Sequence, residues 1–123
     1  MDTTKNNNKS RTESFRTAFS GLVHALNTQK NFQLQVLIGL VTALVAWFLD
    51  FTRIEWLILI ITIALVLVAE LLNTVVEVVV DLAVKEKLLP DARLAKDVSA
   101  AAVLLLSIFA VFVGLLLFIP HFL

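Results

Sequence analysis

Four polar side chains interrupt an otherwise apolar run at a helical rhythm. Glu70, Asn73, Glu77 and Asp81 are spaced 3, 4 and 4 residues apart in ELLNTVVEVVVD. At 100° per residue they fall within about 80° of arc and form one stripe about 16 Å long. A carboxylate at the centre of a bilayer costs roughly 2.5–3.5 kcal/mol on insertion scales, so such a stripe needs a cation, a metal or a bound ligand to offset it. Ala95-Lys96-Asp97 opens the next apolar segment, where the lysine can approach the acids. Carboxylates that hold Mg²⁺, a lysine for the transferred group and a carboxylate that takes a hydroxyl proton suit metal-assisted phosphoryl transfer at a membrane surface. The same spacing also suits polar glue between helices of an oligomer, or an ion or proton pathway.

Other routes to chemistry are closed. The three glycines, Gly21, Gly39 and Gly114, cannot make a GxxxxGK[ST] loop or a kinase glycine loop. His24 and His121 lie far apart, which argues against a histidine metal site or triad. There is no cysteine, hence no disulfide, thiolate site or cysteine nucleophile. Ten basic and ten acidic residues cancel, so there is no global basic field for nucleic acid.

The elements that must carry the stripe are membrane helices. Of 123 residues, 59% are apolar and 16% charged, against about 45–50% and 25% in an ordinary soluble domain. One soluble core of this size could not hide so much apolar surface. The reading is an all-α integral membrane protein. A polar tail over 1–11 is expected to be disordered, and no signal peptide is expected. Phe15, Phe19, Leu22, Val23 and Leu26 recur at helical spacing, predicting an amphipathic surface helix over 12–30. Spans are expected at about 32–49, 54–82 and 97–119, with a charged loop over 83–95. Nine of the ten basic residues fall in the N-terminal region or in the stretch from Lys85 to Lys96. The positive-inside rule puts those parts in the cytoplasm and the C-terminus outside.

ELLNTVVEVVVDL (Glu70–Leu82) followed by LAKDVSAAAVLL (Leu94–Leu105) resembles the bacterial diacylglycerol kinase family, and the Asn73-Thr74 pair and the Pro90–Asp97 run are closest to its undecaprenol kinase branch. The resemblance covers roughly residues 14–118. It implies a surface helix and three spans assembled as a homotrimer in the bacterial inner membrane, with active sites shared between subunits at the cytoplasmic face. The implied reaction is phosphorylation of a lipid hydroxyl by ATP and Mg²⁺, with undecaprenol the expected acceptor and diacylglycerol the alternative. A non-enzymatic or degenerate oligomeric membrane protein is the rival of another class. By position in the motif, Glu70 would be the catalytic base and Glu77 a metal ligand. Asn73, Lys96 and Arg16 would bind substrate or phosphate, and Asp81, Glu86, Lys96 and Asp97 would bind ATP. One position departs from the pattern: the turn Thr28-Gln29-Lys30-Asn31-Phe32 has Gln29 where the family has a glutamate that ligates metal. An amide offers a carbonyl oxygen and no charge, so weaker Mg²⁺ binding is expected.

Overall fold

The computed structural model describes residues 10–85, 87 and 89–123. The expected tail therefore lies outside the described residues up to position 9. Four helices follow in order: α1 (Arg11–Thr28), α2 (Lys30–Phe48), α3 (Arg53–Val84) and α4 (Pro90–Phe122).

Local chemistry sets the boundaries. The hydroxyl of Ser10 accepts the backbone N–H of Glu13 at 3.2 Å and caps α1, so the helix begins at Arg11, inside the stretch expected as tail. One residue separates α1 from α2. Gln29 leaves helical geometry (φ −99°, ψ 105°), yet its N–H bonds to Ala25 O and its carbonyl accepts from Gln33 N. It therefore closes one helix and opens the next. At the turn between α2 and α3, Asp50 takes a left-handed φ of 54°, which aspartate tolerates better than most residues. Thr52 and Glu55 then form a reciprocal capping box at the start of α3.

α3 ends at Lys85, which is left-handed (φ 49°), and Pro90 occupies the first turn of α4. The charged stretch expected as a loop over 83–95 is thus shorter as irregular chain. Charges are no obstacle to a helix beyond the hydrocarbon, and proline at the first helical position loses no hydrogen bond that a helix would have made. The 32 residues of α3 and 33 of α4 give helices about 48 and 50 Å long. Both exceed a hydrocarbon core of about 30 Å, so each projects past it.

α3 and α4 pair along their length as an antiparallel hairpin, and α2 packs against α3. α2 comes close to α3 at Gly39, where an added Cβ would lie 2.9 Å from Ile63 Cγ2. The core gathers near the α2–α3 turn, where Ala46, Phe51, Leu59 and Leu117 are buried, with Trp56 and Phe118 packed on them. Elsewhere large apolar side chains such as Leu57, Ile60, Leu104 and Phe112 face outward along α3 and α4. Three helices are long and apolar enough to cross a membrane. Lipid tails are as apolar as leucine, so exposure there carries no penalty. The chain is an all-α integral membrane protein.

Candidate functional site

The stripe lies on the second half of α3. Glu70 is about 26 Å along the helix from Arg53, and Asp81 about 42 Å. With Arg53 at one face of a core about 30 Å thick, Glu70 sits just inside the opposite boundary and Asp81 beyond it. In that placement one helix would carry carboxylates from acyl-chain depth out to the headgroup layer.

The environments of these groups differ along that line. Glu70 is the one buried charged residue among the described residues, 6% exposed. Thr74, one turn on, donates its hydroxyl to the Glu70 carbonyl at 3.1 Å and not to its carboxylate. Asn73 donates Nδ2 to Glu77 Oε1 at 3.4 Å, while its Oδ1 is buried with no partner among the described residues. A buried acceptor without a donor is uncommon in a folded protein. Glu77 and Asp81 are exposed.

Across the hairpin, Lys96 Nζ meets Asp81 Oδ1 at 2.5 Å. This ion pair ties the start of α4 to the end of α3. Beside it a cleft of about 690 Å³ opens between the two helix ends, lined by Asp81, Lys87, Arg93, Lys96 and Asp97 among others. Among the described residues three cations line it against two acids, a net positive lining suited to a polyanion. The sequence shows Lys87 and Arg93 only as charges that set topology and, for Arg93, as part of the Pro90–Asp97 run. Their signal as cleft residues is position: Lys87 follows the end of α3, and Arg93 lies in the first turn of α4, three residues before Lys96.

The remaining sequence candidates are less connected. Arg16 is exposed on α1 and forms no ion pair among the described residues. Gln29 sits at the α1–α2 break, where Nε2 reaches Thr28 Oγ1 at 3.5 Å and makes no hydrogen bond to Glu77. Glu86 lies outside the described residues.

No cluster of three carboxylate or imidazole ligands occurs among the described residues. Glu77 is the exposed carboxylate of the stripe nearest the Asn73 side chain, which turns Nδ2 and not Oδ1 towards it. One carboxylate fits Mg²⁺, which keeps several waters and commonly binds through one or two carboxylates plus substrate phosphates.

The family model for prokaryotic diacylglycerol kinase matches residues 16–118 of this chain. A diacylglycerol kinase of Synechocystis is 42% identical over 107 residues, which is 87% of this chain and 61% of that protein. The undecaprenol kinase of Bacillus subtilis is 33% identical over 108 residues, 88% of this chain and 87% of that protein. The chain thus spans less than two thirds of the Synechocystis relative.

Proposed function

Since the chain belongs to the prokaryotic diacylglycerol kinase family, we propose that it is a lipid kinase that transfers the terminal phosphoryl group of ATP to the hydroxyl of undecaprenol. The observation that carries this reading is the joining of two unlike environments. A cationic cleft at the end of the hairpin, held by the Asp81–Lys96 pair, is followed about 16 Å further down the same face of α3 by a buried carboxylate, Glu70. A lipid alcohol and a soluble nucleotide need such a boundary to meet.

In this reading Lys87, Arg93 and Lys96 bind the phosphates in the cleft, with Asp97 at the nucleotide. Lys96, released from Asp81 or shared with it, neutralises charge on the ATP phosphates in the cleft. Glu70 accepts the proton of the lipid hydroxyl as its oxygen attacks the terminal phosphorus. The bond from that phosphorus to the bridging oxygen breaks, and ADP leaves with the electron pair. Asn73 orients the acceptor or the phosphate. Glu77 would hold Mg²⁺, which when bound neutralises phosphate oxygens. The lipid hydroxyl already rests at headgroup depth, so holding it beside the phosphate removes much of the entropic barrier.

The protein would lie in the bacterial inner membrane with the cleft towards the cytoplasm and α1 on the surface. The outward apolar face of α1, led by Phe15 and Phe19, supports that placement. It would assemble as a homotrimer that closes the exposed side of Glu77. The exposed small residues Ala100, Ala101 and Ala102 give a second copy a place for close helix packing. A second acceptor, diacylglycerol, is favoured by the 42% identity to a protein of that name.

The test is phosphate transfer from labelled ATP with Mg²⁺ by detergent-purified protein, offering undecaprenol and diacylglycerol separately, with Glu77→Ala as control. Transfer to undecaprenol in preference, abolished in the control, is expected. Preference for diacylglycerol replaces the acceptor. Transfer to neither, from a folded protein, overturns the kinase reading.

A further inference from the structure

A second polar contact joins α3 and α4 at the end of the hairpin away from the cleft, and the proposed reaction does not use it. His121 Nε2 lies 2.6 Å from Glu55 Oε2, and each side chain is 23% exposed. The other oxygen of Glu55 accepts the backbone N–H of Thr52 at 3.0 Å. The carboxylate is therefore fixed on both sides, by the cap of its own helix and by the last turn of α4. The imidazole is fixed as well. The Phe51 ring stacks on it with centroids 4.9 Å apart and planes at 21°, and Phe118 packs on Phe51 at 4.9 Å. Pro120, next to His121, has no N–H for the Leu116 carbonyl, which loosens the turn that delivers the ring.

The spacing of this contact relates it to the cleft. Asp81 lies 26 residues after Glu55 on α3, and His121 lies 25 residues after Lys96 on α4. At 1.5 Å per residue these are about 39 and 38 Å. The two polar contacts thus close the two ends of one antiparallel hairpin, with matched lengths between them. The stretch between carries Glu70, Asn73 and Glu77 on α3, but among the described residues no hydrogen bond or ion pair joins it to α4, so packing alone sets the register there. A slide of α4 by one helical turn would move Lys96 by about 5.4 Å, enough to take it out of reach of Asp81.

We propose that Glu55 and His121 are positioning residues. They set the axial register of α4 on α3 and thereby hold Lys96 against Asp81 across the thickness of the membrane. The catalytic consequence rests on the lipid kinase reading, whereas the register itself does not.

The register is read directly by solid-state NMR in lipid bilayers, as the dipolar coupling between ¹⁵Nζ of lysine and ¹³Cγ of aspartate, with an Asp81→Asn sample subtracted to isolate the Asp81–Lys96 pair. The full chain should show that coupling. His121→Ala and Glu55→Ala should lose it, and the exchanged pair Glu55→His with His121→Glu should regain it. His121→Gln, which keeps a donor for Glu55 and the fold of the last turn, should retain most of it. In the phosphate-transfer assay the two alanine variants should raise KM for ATP severalfold, with recovery in the exchanged pair. Coupling that persists in folded His121→Ala overturns the proposal, as does failure of the exchanged pair to regain it. If no variant or parent transfers phosphate but the coupling follows this pattern, the kinase reading fails and the register device stands.

Discussion

A base at the edge of the hydrocarbon is useful only if it is close to the acceptor and still able to take a proton. In the proposed role Glu70 would meet the first condition by depth, and it has no cation paired with it among the described residues. Glu70→Gln keeps size and hydrogen bonding but removes the proton acceptor. Turnover should fall by roughly 10²–10⁴-fold, the usual worth of general base catalysis, while equilibrium ATP binding stays near the parent value. Loss of ATP binding would assign Glu70 to the nucleotide instead. Gln29 poses the converse test. Gln29→Glu adds a carboxylate at the helix break, and if that break faces the metal site the Mg²⁺ concentration for half-maximal rate should fall. An unchanged Mg²⁺ titration would leave the metal to Glu77. Single residues were legible in the sequence where cost made them conspicuous, as with Glu70 and Glu77 in an apolar run. Lys87 and Arg93 were not, because a charge in a polar connection costs nothing and so signals nothing until a cleft forms around it.

At the scale of elements, three spans were readable because apolar runs of sufficient length have one physical outcome in a membrane. Helix ends were less so. The Thr52-x-x-Glu55 cap has a local sequence signature, yet its glutamate also serves a histidine 66 positions away. That pairing depends on the lengths of two helices and their register, which no local pattern encodes. Contacts between spans can be tested through the glycines. An alanine at position 39 would put its Cβ 2.9 Å from Ile63 Cγ2, whereas at position 21 it would meet nothing within 4 Å. Gly39→Ala should lower the thermal midpoint in detergent, with overpacking costing about 1–3 kcal/mol. Gly21→Ala should leave it unchanged or raise it, since alanine is favoured over glycine in a helix by up to about 1 kcal/mol. Equal responses would mean that α2 does not approach α3 at Gly39.

For the whole molecule, orientation decides whether the proposed chemistry can occur at all. The cleft, the Asp81–Lys96 pair and the N-terminus of α2 lie at one end of the bundle, and the Glu55–His121 contact at the other. Nine of ten basic residues belong to the cleft end or to the segment that precedes α2, and Arg53 alone lies at the opposite end. Lysine and arginine near span ends are retained on the cytoplasmic side, the side where ATP is available. The chain has no cysteine, so single cysteines can report topology without removing native ones. With a membrane-impermeant maleimide, Leu123→Cys should label in intact bacterial spheroplasts, and Ser10→Cys only after lysis. The reverse pattern would place the cationic cleft where no cytoplasmic nucleotide reaches it. The lipid kinase reading would then fail whatever the geometry of the stripe, because a phosphoryl donor and Lys96 would be separated by the bilayer.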